Sequence, residues 1–161
     1  MRAFLAMTGV VLLAACGGGD GTEAPASTGV EVPAPAGFEV IVTDAFVMVP
    51  LEGRNITMGG ATLEVSGQSA RLIAADGDFA EAIELHTMAM EGDTMRMRKV
   101  EAIDLIADQP FSLERGADHF MVFGVSELEA GRAYPIRLTF ELEDGTQAES
   151  EIFATARSLG D

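Results

Sequence analysis

From Gly37 onward the chain alternates apolar and polar residues one by one, and turn residues interrupt the alternation at short intervals. Side chains two positions apart share a face only in extended backbone, so the pattern predicts strands and no helix. It is clearest near the C-terminal end, where Tyr134, Ile136, Leu138, Phe140 and Leu142 alternate with Pro135, Arg137, Thr139, Glu141 and Glu143. Glu143-Asp144-Gly145 then supplies a hairpin turn before a return strand over about 147–156. Further strands are predicted over 38–49, 61–65, 70–75, 82–90, 94–100, 111–114 and 118–124. Seven to nine short strands separated by turns predict an all-β domain of about 120 residues, an antiparallel Greek-key β-sandwich or barrel.

The 161 residues are 48% hydrophobic, enough for one domain with its own core. Twenty-six acidic against ten basic residues give a formal charge of -16. A polyanion would be repelled, which excludes nucleic acid as a partner. Ahead of the alternating region stand Met1-Arg2, an apolar run, and Leu13-Ala14-Ala15-Cys16. A positive start, a short apolar stretch and small residues before a break make residues 1–15 a secretory signal peptide, too short to span a bilayer. Leu-Ala-Ala-Cys also resembles the bacterial lipobox, in which the cysteine is lipidated, and Cys16 is the only cysteine in the chain. The expectation is a protein of the bacterial cell envelope, held to a membrane on the periplasmic side by lipid on Cys16. Gly17 after that cysteine, rather than an aspartate, favours the outer membrane by likeness to known sorting behaviour. Residues 16–36 then comprise the lipidated cysteine and a flexible tether of roughly 25 Å reach, and 37–157 the folded domain. With its thiol acylated, the chain has no cysteine for catalysis, a disulfide or a thiolate metal site.

The chain has two histidines, His86 and His119, and each is followed two positions later by a methionine, Met88 and Met121. On a strand, such pairs set an imidazole beside a thioether on one face. With nine methionines in 161 residues, both histidines gaining that neighbour by chance is on the order of 1 in 300. Met95-Arg96-Met97 adds two more thioethers on one face, with Met90 nearby. Around His86, Ile83, Leu85 and Thr87 form one face and Glu84, His86, Met88 and Met90 the other; around His119 the core face is Phe120 and Val122. The candidate donors therefore look away from the core. Thioether sulfur is soft and uncharged, so it suits Cu(I) and binds zinc, magnesium or calcium poorly, while imidazole accepts either copper oxidation state. A blue-copper centre needs a cysteine thiolate, so the pattern predicts a carrier of Cu(I) rather than an electron relay.

The spacing resembles the PCuAC family of periplasmic copper chaperones. Its motif is a His, ten residues, a Met, twenty-one residues and His-x-Met, matched here by His86, Met97 and His119 with Met121 completing the triplet. Glu84-Leu85-His86-Thr87-Met88 and Met95-Arg96-Met97-Arg98 are also similar to the family's text, and the resemblance runs from about 38 to 156. It implies a cupredoxin-like sandwich that carries Cu(I) toward the dinuclear copper centre of cytochrome c oxidase. The implied ligands are His86, Met97, His119 and Met121, with Met88 a neighbour or substitute. The implied partners are the copper ion and a copper-accepting membrane protein, an oxidase subunit or another copper chaperone. Two positions depart from the family. A Pro-Gly-Gly-Tyr-like run usually precedes the second histidine, where this chain has Arg115-Gly116-Ala117-Asp118, and Phe123 stands where many members add another methionine.

Two other readings compete. One is a copper scavenger or storage lipoprotein without a dedicated recipient; the other is a metal-free envelope module that binds protein through a sheet face. An enzyme is not expected, because both histidines belong to the metal motif and no cysteine or serine nucleophile can be assembled beside them.

Overall fold

The structure, a computed structural model, describes residues 37–159. The expected signal peptide, lipidation at Cys16 and tether lie outside these residues. The described chain is all-β. Ten strands follow in order: β1 (Glu39–Met48), β2 (Ile56–Ser66), β3 (Ala70–Asp76), β4 (Ala82–Glu91), β5 (Thr94–Lys99), β6 (Ile103–Leu105), β7 (Phe111–Leu113), β8 (His119–Phe123), β9 (Ala133–Leu142) and β10 (Gln147–Arg157). Their lateral order is β5-β4-β8-β2-β1-β10-β9-β3-β6, with β7 on β2. A further pair, Ala75 of β3 with Ile83 of β4, joins the two arms of that path and curls the sheet back on itself.

The alternation predicted for the C-terminal hairpin is observed: Ile136, Leu138, Phe140 and Leu142 of β9 are buried, and Ala148, Ile152, Ala154 and Ala156 of β10 join them. At the turn, Gly145 takes φ 80°, a conformation that favours glycine. Asp144 Oδ1 accepts bonds from the Thr146 amide (2.9 Å) and hydroxyl (2.6 Å), an Asx-type lock on the reversal. Inside the barrel, Phe120, Phe140, Leu63, Leu72, Leu113 and Leu138 are fully enclosed.

Three features depart from the simple alternating reading. The pairing of β1 with β10 is parallel, with Phe46 opposite Thr155 and Met48 opposite Arg157, whereas the expectation was wholly antiparallel. A parallel pair requires a long crossover, and here nearly the whole domain serves as one. The strand β6 was not predicted; three residues are too few to display a period, although Ile103 and Leu105 are buried. Finally, β1 carries a bulge. Its register against β2 shifts between Thr43 and Phe46, where Asp44 adopts φ 52°. Val40 and Val42 pack on the core before the bulge, and Ala45 and Val47 after it. The extra residue thus inverts the parity of the strand and turns Phe46 and Met48 outward.

Candidate metal centre

Strand register assembles the sequence-predicted residues on one outer face. In the β4–β8 ladder His86 lies opposite His119 and Glu84 opposite Met121. In the β4–β5 hairpin Met88 lies opposite Met97 and His86 opposite Lys99. Opposed residues share a face, so both imidazoles and the thioethers of Met88, Met97 and Met121 project the same way. Beneath them Ile83, Leu85, Phe120 and Val122 are buried in the core, as the alternation required. The packing of Phe120, enclosed on all sides, fixes the backbone that carries His119 and Met121.

The two rings are 6.0 Å apart between centroids and tilted by 44°. Each is held by one nitrogen. His119 Nδ1 lies 2.8 Å from the Ala117 carbonyl oxygen. A carbonyl only accepts, so Nδ1 carries the proton and the Nε2 lone pair is free. His86 Nε2 lies 3.0 Å from Glu84 Oε2, and Lys99 Nζ donates to Glu84 Oε1 over 2.7 Å. Bonds from Lys99 first, and from His86, hold the Glu84 carboxyl below the usual carboxylate range. An ionised carboxylate only accepts, so His86 donates through Nε2 and keeps its lone pair on Nδ1. That Nδ1 is buried and has no hydrogen-bond partner among the described residues. A buried acceptor left unpaired is costly unless something else satisfies it, and a metal ion would. A carboxylate orienting the far nitrogen of an imidazole is also the usual outer support of a histidine ligand.

Beside the rings opens a cavity of about 490 Å³. His119, Met97, Met121 and Met88 line it; His86 does not, and its ring lies 6.3 Å from that of Phe123. Among the described residues its charged lining side chains are Arg54 and Arg115, with no carboxylate. Neutral soft donors under a positive rim disfavour a hard divalent cation and suit a monovalent soft one. Among the described residues no cluster of three or more His, Cys, Asp or Glu could hold a metal. Met90 and Met95 pair with each other further along the hairpin, 64% and 52% exposed, away from the cavity. Asp118 is not part of the cavity wall either. Its main-chain oxygen accepts from the Glu114 amide at 2.7 Å, closing a tight turn through Gly116 (φ 90°) that delivers His119 to its strand.

Sequence reasoning missed three wall residues that matter: Phe46, Met48 and Met58. Met58 pairs directly with Met121 in the β2–β8 ladder. It was overlooked because the predicted strand begins at Ala61, after two glycines that have no side chain to show a period. Both glycines are in fact strand residues where neighbours come too close for a side chain. A Cβ on Gly59 would lie 2.8 Å from the Phe46 carbonyl oxygen, and one on Gly60 would collide with that of Leu113. Phe46 and Met48 were hidden by the bulge. Arg157 stacks on the Phe46 ring at 4.9 Å and donates to Asp44 Oδ1 at 2.5 Å, bracing the bulge at the cavity wall.

The fold is that of solved PCuAC domains. The copper-bound PCuAC domain from PmoF2 superimposes with a TM-score of 0.60 at 19% identity, covering 74% of this chain and 93% of that one. Apo-DR1885 from Deinococcus radiodurans gives 0.55 at 23% identity over 95% and 98% of the two chains. The CuI form of DR1885 gives 0.53 at 23% over 78% and 81%. Within that fold, the chain belongs to the LpqE-like lipoprotein family, whose model matches residues 40–152. No curated protein matches it.

Proposed function

We propose that this chain is a Cu(I) carrier of the bacterial envelope that binds one copper through His86, Met97, His119 and Met121, with Met88 as a neighbouring donor. The observation that carries the reading is the buried, unpartnered Nδ1 of His86, aligned by Glu84 and set opposite His119. Two neutral imidazole lone pairs and two thioethers form a soft, uncharged set that favours Cu(I) over Zn(II) or Mg(II). Solved domains of the same fold are described as copper-bound and as CuI forms, which supports the same cargo here. Neutral thioethers exchange readily, as a carrier requires, and the recipient we favour is a copper enzyme such as the dinuclear copper centre of cytochrome c oxidase. Membership of a lipoprotein family supports anchoring through Cys16.

Titration of the protein with Cu(I) against a competing chelator, followed by X-ray absorption of the loaded form, tests the reading. The expected result is one tight equivalent with mixed sulfur and nitrogen donors. An all-oxygen shell, or no stoichiometric binding, overturns it.

A further inference from the structure

The four proposed ligands leave surplus thioethers on the same cavity, and those on β1 and β2 have a distinct arrangement. Met58 is the direct neighbour of Met121 in the β2–β8 ladder. Met48 stands one position beyond the Val47–Gly59 pair of β1 and β2, beside Met58, and its carbonyl accepts from Thr57 Oγ1 at 2.8 Å. Both methionines line the cavity and are half-buried. Three thioethers thus form a row across β1, β2 and β8, at the roughly 4.8 Å interval of neighbouring strands. Met48 reaches that row only because the bulge at Asp44 reverses the parity of β1; a regular strand would bury it in the core. Simple core filling does not require such a device.

We infer that Met48 and Met58 form a second, all-thioether position for Cu(I), adjoining the first at Met121. The inference rests on the proposed reading of this face as a soft-metal site. Two thioethers with no charged acceptor select a soft monovalent ion, and Arg54 and Arg115 on the same wall oppose a dication. Lacking imidazole, this position holds copper more weakly than the first. Copper can step onto it from Met121 by exchanging one neutral ligand at a time, with no proton moved and no ligand changing its charge.

The test is NMR of the protein carrying 13C-methyl methionine, titrated with Ag(I), a redox-inert soft ion of the same charge. In the wild type the first equivalent shifts the Met97 and Met121 methyls, and a second, weaker equivalent shifts those of Met48 and Met58. A variant with Met48→Leu and Met58→Leu, which keeps side-chain volume and hydrophobicity, retains the first step and loses the second. Replacing His86 and His119 by Ala removes the first step and leaves the second. Methyl resonances of Met48 and Met58 that stay fixed through two equivalents, or a second step that survives the double leucine variant, overturn the inference. Failure of Met97 and Met121 to respond while Met48 and Met58 do would instead overturn the proposed ligand set and leave this position standing.

Discussion

His86 and His119 lie opposite one another across the β4–β8 ladder, yet the nitrogen left with its lone pair differs: Nδ1 in His86 and Nε2 in His119. The difference follows from what each ring leans on. A backbone carbonyl two residues back fixes His119, whereas a side-chain carboxylate, itself held by Lys99, fixes His86. His119 is therefore placed by the fold and His86 by a surface network.

That asymmetry makes His119 and Met121 the more consequential half of the centre. Replacing both by Ala is expected to abolish the first, tight equivalent of Cu(I), because only His86 and Met97 of its four ligands remain. Met97→Ala, which removes a thioether 47% exposed on an edge strand, is expected to weaken binding yet keep one equivalent. Chelator competition on the two variants reads both outcomes.

Glu84→Ala is expected to lower Cu(I) affinity by about 10- to 100-fold, the usual consequence of removing a carboxylate that orients a histidine ligand. Glu84→Gln, which can still accept from His86 through its amide oxygen, is expected to lose less. Equal affinities for wild type and Glu84→Ala, measured by the same competition, would show that the carboxylate does not position the ring.

Gly60→Ala places a methyl group against the Leu113 carbonyl and close to the Phe46 ring. The expected cost is about 1–3 kcal/mol of stability, as for overpacking elsewhere, read as a lower urea midpoint with an unchanged slope.

Asp144 sits at the β9–β10 turn, and its bonds to the Thr146 hydroxyl and amide hold its carboxyl below its ordinary value of 3.8. A lowered folded-state value means the interaction stabilises the fold above the unfolded carboxylate's titration and is lost as pH falls through the folded one. Asp144→Ala is therefore expected to melt at a lower temperature than wild type at neutral pH. The gap should close on acidification to about pH 2, and a gap independent of pH would contradict the assignment.

The period-two pattern was enough to read the all-β fold and to place His86, His119, Met88, Met97 and Met121 on one face, because register preserves parity across paired strands. It failed where parity is broken or masked. Asp44 inserts one residue into β1 and moves Phe46 and Met48 to the opposite side from that which counting assigns. Gly59 and Gly60 carry no side chain to show a period, so the start of β2, and Met58 with it, fell outside the predicted strand. The Glu84 network was visible only as shared alternation with His86, since Lys99 is brought to it by the β5 hairpin.

Because β1 is the first strand of the domain, its two ends have different neighbours. Glu39, at the start of the strand, pairs with Ser66, and nine residues later Met48 forms part of the cavity wall. At the rise of an extended strand these ends are separated by roughly 30 Å, somewhat less with the bulge. With Cys16 lipidated as proposed, the mooring line is attached at one end of that strand and the cargo berth opens beside the other. An attachment ahead of β1 would then leave the cavity mouth uncrowded and open to a docking partner.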